Sequence, residues 1–142
     1  MNDGKGATRK YTAETIGLIN LFENITGSKV KDCIIIEDGL MFIVDSEFMG
    51  RALGAKGNNL RKIEDRVKRK VKVIEFSQNI EKFIRNLVYP IKPREIRLQD
   101  DKIEIIASDS KMRGMLIGRD RKNLKRLQEL VGRYFNYVIE VM

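Results

Sequence analysis

The sequence predicts an α+β protein made of two copies of one α-β-β-α-α-β unit, and three observations carry that expectation. A block of glycine, apolar and basic positions recurs in constant register; two short apolar runs precede each copy of it; and apolar stripes at helical spacing stand before and after it. In the recurring block Gly50 falls on Gly114, Leu53 on Ile117, Gly54 on Gly118, Asn59 on Asn123, Leu60 on Leu124, Arg61 on Lys125, Ile63 on Leu127 and Val67 on Val131. The chain of 142 residues is 42% hydrophobic and 34% charged, enough to bury a core. One unit alone stands near the lower size limit for an independent core, so two copies are a sensible way to bury more apolar surface.

The elements follow in order. Residues 1–11 are polar, glycine-containing and terminal, and are expected to form a disordered tail. Ile16, Ile19, Phe22 and Ile25 then mark a first helix. Cys33 to Ile36 and Leu40 to Val44 are apolar runs joined by Asp38-Gly39, a hairpin signal because both residues tolerate the positive φ of a tight turn. A short helix ending near Leu53 leads to the loop Gly54-Ala55-Lys56-Gly57 and to a longer helix from Asn58, whose apolar stripe is Leu60, Ile63 and Val67. The alternating run Val71 to Phe76 closes the first copy. Ser77 is the expected N-cap of the next helix, which carries Ile80, Phe83, Ile84, Leu87 and Val88 and is ended by Pro90. Ile96 to Leu98 and Ile103 to Ala107 flank the turn Asp100-Asp101, which lacks glycine. A helix with Leu124, Leu127 and Val131 and an alternating segment from Tyr134 to Val141 complete the second copy. The expected domains are therefore 12–76 and 77–142, and the absence of a Gly/Ser-rich linker predicts that they pack in a fixed orientation.

Composition removes several function classes. The chain has no histidine, which excludes His-based general bases, Ser-His and Cys-His nucleophile pairs and imidazole metal ligands. Its single cysteine, Cys33, cannot form an internal disulfide or a multi-thiolate zinc site, and its apolar setting reads as a small buried hydrophobe in a reducing compartment. The acidic residues Asp32, Glu37, Asp38, Asp45 and Glu47 are better explained by turns and helix starts than by a metal or carboxylate-pair site. Met41, Met49, Met112 and Met115 read as core fillers. No apolar run approaches the roughly 18 residues that span a bilayer, and the basic helices have no spare apolar face for insertion, so no membrane partner is expected. A P-loop is excluded because no Ser or Thr follows a Gly-Lys pair in the required frame.

Positive charge points to a polyanion. Lys and Arg number 28 against 20 Asp and Glu, a net charge of +8. Much of it gathers beside the glycine loops. In Gly54-Ala55-Lys56-Gly57 the glycines allow a tight turn and close backbone approach, and the amides of the loop and of the following helix start lie at the positive end of the helix dipole, a phosphate site. Lys56 adds a mobile cation, and Arg51, Arg61, Lys62, Arg66, Lys68, Arg69, Lys70 and Lys72 extend the potential against only Glu64 and Asp65. The plainer alternative is a helix-helix turn without a ligand. A stripe of this length suits a backbone of several phosphates. The second loop, Gly118-Arg119-Asp120-Arg121, has Arg121 in place of the second glycine and a carboxylate that would repel phosphate, so copy two is expected to be the weaker or differently shaped half.

The order of elements around LGAKGNNLRKIE and VKVIEF resembles the type II KH domain, and two tandem type II KH domains with almost no linker resemble the KH pair of the NusA family of transcription factors. The chain has no room for the polymerase-binding and S1 domains of the bacterial members, so it is similar to the short, archaeal-type NusA-like proteins. The resemblance implies a non-enzymatic, cytoplasmic, monomeric protein without cofactors that binds single-stranded RNA in transcription termination or antitermination, with RNA polymerase as a further partner. It places Gly54, Ala55, Lys56 and Gly57 in the RNA-backbone clamp, with Arg51, Asn58, Asn59, Arg61, Lys62 and Ile63 around it. The second set is Gly118, Arg119, Asp120, Arg121, Lys122, Asn123 and Lys125. A KH loop clamps about four nucleotides while bases lie over an apolar groove, for which Ile63 and Val73 are the candidate walls. Only 7% of residues are aromatic, which argues against affinity from base stacking. Binding of ribosomal RNA or a role in ribosome assembly is an alternative, as is a protein-docking module of the transcription apparatus.

Overall fold

The computed structural model describes residues 12–37 and 39–142; the expected tail, and Asp38 of the expected hairpin turn, lie outside the described residues. The chain divides between Gln78 and Asn79 into two compact units.

The first unit runs α1 (Ala13–Thr26), β1 (Asp32–Ile36), β2 (Gly39–Asp45), α2 (Ser46–Leu53), a 3₁₀ turn over Ala55–Gly57, α3 (Asn58–Val67) and β3 (Lys70–Phe76). Thr12 caps α1 and forms a reciprocal capping box with Thr15, and Gly27 ends the helix in the left-handed region at φ 70°. The sheet order is β1-β2-β3. Strand β2 pairs antiparallel with β1, placing Cys33 opposite Phe42, and parallel with β3, placing Phe42 opposite Val73. Parallel neighbours need a crossover, and here α2, the glycine loop and α3 supply it.

Even-numbered positions of β2 face the helices. Leu40, Phe42 and Val44 are fully buried with Phe22 of α1, Ala52 of α2 and Ile63 of α3, and Phe22 stacks on Phe42 with ring centroids 4.2 Å apart. The stripe Leu60, Ile63 and Val67 thus lays α3 on the core, and its opposite face is left to Arg61, Lys62, Asp65 and Arg66, all exposed. Glu64 Oε2 accepts the Val71 amide at 3.0 Å, so one of the two acids of α3 serves the start of β3. Gly39 is required for a reason other than the positive φ expected of it. Its φ is not positive, but a Cβ there would collide with the carbonyl oxygen of Lys70 across the parallel pair.

The second unit repeats the order as α4 (Ile80–Val88), β4 (Glu95–Gln99), β5 (Lys102–Ile106), α5 (Ser110–Ile117), a 3₁₀ turn over Arg119–Arg121, α6 (Lys122–Gly132) and β6 (Val138–Val141). Its sheet order is β4-β5-β6 with the same antiparallel and parallel pairings. Ile103, Ile105 and Val131 are fully or almost fully buried, as are Phe83 and Ile84.

Three further expectations about caps, strand limits and core fillers differ from the structure. The N-cap of α4 is Asn79, whose side chain accepts the Lys82 amide at 3.0 Å, and not Ser77; the asparagine is one residue from the first helical position and reaches the amide three residues on. Strand β6 begins at Val138 and not at Tyr134. The amides of Tyr134 and Phe135 still bond to the Val131 carbonyl at 3.0 and 2.8 Å, and both rings pack near Phe83, so aromatic packing at a helix exit produced the alternation. Met115 is 44% exposed and fills no core, because its neighbour Leu116 is the residue α5 turns inward.

Cys33 is buried, as its apolar surroundings imply, and burial, reinforced by the nearby Asp32 and Glu14 carboxylates, pushes its thiol from an ordinary 9.0 up to about 12. The neutral thiol is therefore the favoured native form. The native protein is expected to resist thiol reagents at pH 8 and to react promptly once denatured. Because the unfolded chain can release this proton first, the stability that the buried thiol contributes is present in full below pH 9.0 and declines as pH rises toward about 12, which pH-dependent chemical denaturation will measure against a Cys33→Ala variant.

Candidate nucleic-acid interface

The glycine loop joins the last turn of α2 to the first turn of α3. Gly54 stands at φ 77° and ψ 173°, a region that is essentially restricted to glycine, and Lys56 and Gly57 are both left-handed at φ 54° and 74°. A Cβ on Gly54 would meet the Asn59 amide nitrogen and side chain at 2.9 Å. Ala55, Lys56 and Asn58 are exposed at the loop apex. Gly57 holds the N-cap position of α3 and offers no side-chain acceptor, so the first-turn amide donors have no side-chain cap. Arg61 reaches back over the loop: its Nη2 donates to Asn58 Oδ1 at 2.7 Å, and its guanidinium lies 3.5 Å from where a Cβ on Gly57 would stand.

The second loop has the same backbone. Gly118 is at φ 78° and ψ 169°, Asp120 at 54° and 30°, and Arg121 at 61° and 21°; the corresponding first-loop values are 77° and 173° for Gly54, 54° and 29° for Lys56, and 74° and 18° for Gly57. A differently shaped second loop is thus contradicted: Arg121 accepts the left-handed conformation that glycine holds in the first loop, at a cost of roughly 1 kcal/mol. The difference between the loops is one of charge. Asp120 stands where Lys56 does, while Arg119, Arg121, Lys122 and Lys125 are exposed around it.

Several candidate contact residues have their side chains committed elsewhere. Ile63 is fully buried among Phe22, Leu40 and Phe42, so it is a core residue and not a groove wall; an i, i+3 apolar stripe turns it toward the sheet. Val73 is partly buried against the same core. Arg51 Nη1 donates to the Gly27 carbonyl at 3.1 Å and so caps the end of α1, with its guanidinium carbon 5.9 Å from the Phe48 ring centroid. Arg69 pairs with Glu14 of α1 at 3.1 Å. The side-chain amides of Asn59 and Asn123 reach back to the preceding helix, donating to the carbonyls of Arg51 and Met115 at 2.8 and 2.9 Å.

Each unit also has an open depression. In the first, about 550 Å³ lies between the β1-β2 hairpin and the α3-β3 turn, lined by Ile35, Glu37, Gly39, Lys68, Arg69 and Lys70. In the second, a groove of about 470 Å³ lies between α6 and β6, with Arg121 and Lys125 beside Gln128, Phe135, Tyr137 and Ile139. Gln128 and Tyr137 escaped the sequence reading. Gln128 is the repeat partner of Glu64, and that register was the available signal: its Oε1 accepts the Ile139 amide at 2.8 Å, as Glu64 accepts that of Val71, and its Nε2 donates to the Tyr137 carbonyl at 2.9 Å. Among the described residues no His/Cys/Asp/Glu group could hold a metal ion, and no helix is long and apolar enough to cross a membrane.

Comparison with known proteins places this geometry. The model of the KH domain matches residues 19–89. Curated relatives named probable transcription termination protein NusA include that of Methanocaldococcus jannaschii, 32% identical over 128 residues covering 88% of this chain and 70% of the relative. That of Methanococcus vannielii is 29% identical over 127 residues, 87% of this chain and 73% of the relative, and that of Halococcus morrhuae is 27% identical over 120 residues, 83% and 86%. The crystal structure of APE1850 superposes with a TM-score of 0.67 at 26% identity, over 93% of this chain and all of that one (100%). A KH-domain match on half the chain, with relatives aligned along most of it, means that the chain belongs to the family of archaeal NusA-like transcription termination proteins.

Proposed function

We propose that this chain binds single-stranded RNA through two tandem KH domains, residues 12–76 and 77–142, and acts without catalysis in transcription termination or antitermination alongside RNA polymerase. The observation that carries the reading is the loop Gly54–Gly57: a glycine-only backbone conformation, an apex of exposed Ala55 and Lys56, and a helix start with no side-chain cap. Phosphate oxygens are the natural complement of such donors at the positive end of a helix. The exposed Lys56, Arg61, Lys62 and Arg66 continue the positive potential along α3, in keeping with a chain of phosphates. The names of the relatives support the transcriptional setting.

In the second unit the same backbone carries Asp120 at the apex, so Arg119, Arg121, Lys122 and Lys125 must offset a repulsive charge. We assign it the weaker hold on RNA. The groove between α6 and β6 gives it room for a base. The first loop is the principal clamp.

Replacing Ala55 and Lys56 together with Asp is expected to weaken binding of a single-stranded RNA oligonucleotide by about tenfold or more, equivalent to roughly 1.4 kcal/mol, while the far-UV spectrum and melting temperature hold. Unchanged affinity in the folded variant would refute the clamp. Replacing Arg119 and Arg121 with Asp is expected to cost less, and an equal loss in the same titration would give both loops equal weight. The logarithm of affinity should fall with the logarithm of salt concentration by about 0.7 for each phosphate neutralised on a single strand; a flat dependence would favour protein docking.

A further inference from the structure

The two loops share a backbone and differ in nearly every side chain. Ala55, Lys56 and Gly57 stand against Arg119, Asp120 and Arg121, yet the φ and ψ angles of Gly54, Lys56, Gly57 and Asn58 agree within 13° with those of Gly118, Asp120, Arg121 and Lys122. Local preference does not account for this, because Arg121 has none of the freedom of Gly57. What the loops hold in common is the first glycine and the asparagine five residues later. Asn59 Nδ2 donates to the carbonyl of Arg51, and Asn123 Nδ2 donates to the carbonyl of Met115, each reaching back eight residues. Both carbonyls belong to the last turn of the preceding helix, where intrahelical donors run out. Each asparagine also occupies the space a Cβ on the glycine would need: the closest side-chain atoms stand 2.9 Å away at Gly54 and 2.7 Å away at Gly118.

We propose that Asn59 and Asn123 are positioning residues that hold each loop in its ligand-ready backbone before any ligand arrives, by tying the end of α2 to the start of α3 and the end of α5 to the start of α6. Their amides face the protein and not the ligand. The consequence for RNA rests on the reading of the loops as phosphate clamps; the effect on loop order does not. The arrangement explains how the second loop keeps its shape without its second glycine. A loop already shaped loses less conformational freedom when it binds, which appears as affinity.

The test uses the full chain, with Asn59→Ala, Asn123→Ala and Asn59→Asp, the last keeping the side-chain size while removing the amide donor. Backbone ¹⁵N relaxation of the free protein reads loop order, and titration with an oligouridine reads binding. Order is expected to fall over residues 55–57 in both Asn59 variants and over 119–121 in Asn123→Ala, with amides of β2 and β5 unchanged, and oligouridine affinity is expected to drop about tenfold in Asn59→Ala. Loops as ordered in the variants as in the parent would overturn the proposal. So would lost affinity with loop order intact, which would make the asparagine a direct RNA contact. Should Asn59→Ala fail to fold, loop order in Asn59→Asp and Asn123→Ala decides the matter in the same way. An oligouridine that the parent chain does not bind would refute the RNA reading and leave the relaxation result to judge the positioning role.

Discussion

In each unit one glycine sits where almost no other residue can, and an asparagine side chain fills the space its missing Cβ leaves. At Gly54 and Gly118 the backbone turns through φ near 77° and ψ near 170°. That turn reverses the chain between two short helices, and the hydrogen bond from Asn59 or Asn123 ties them together. With the helices held, the stripe Leu60, Ile63 and Val67 reaches the sheet, and β3 is delivered parallel to β2. The exposed apex and the basic outer face of α3 are a by-product of the same geometry. The packing face and the proposed binding face are two sides of one helix.

This division explains why charge alone is a poor guide to the proposed interface. Of the cations near the first loop, Arg51 caps α1 through the Gly27 carbonyl and Arg69 pairs with Glu14. Exposed pairs such as Arg69-Glu14 contribute little to stability, but they do fix where a side chain points. Glu64 is drawn to the backbone of β3, so it subtracts less from the outward field than its position in the sequence suggests. Lys56, Lys62 and Arg66 stay on the exposed side, where a polyanion would be steered by their combined field.

The repeat made the fold legible, because glycine, apolar and basic positions coincide at Gly54/Gly118, Leu60/Leu124 and Ile63/Leu127, and a core stripe and a tight turn each have a residue signature. Boundaries were less legible where two local solutions compete. Ser77 and Asn79 can both cap a helix, and the choice fell to the residue adjoining Ile80. Tyr134 to Tyr137 alternate like a strand, but Tyr134 and Phe135 stay hydrogen-bonded to the end of α6 and pack their rings near Phe83. At Gly39 the residue type was expected for a local reason, positive φ, when the true constraint comes from Lys70 on a strand 31 positions away in the chain.

The candidate site divides along the same line. Residue order by itself determined the α-β-β-α-α-β unit, its repetition, the two glycine loops and the basic helices behind them, since these depend on spacing and on intrinsic conformational freedom. Only the tertiary structure decided that Ile63 belongs to the core, that Arg51 and the two asparagines bond to backbone carbonyls of other helix ends, and that Arg121 adopts a glycine-like conformation. The physical reason is that each of these depends on a partner brought close by packing. A carbonyl eight residues back becomes a hydrogen-bond acceptor for an asparagine only once two helices have been set side by side.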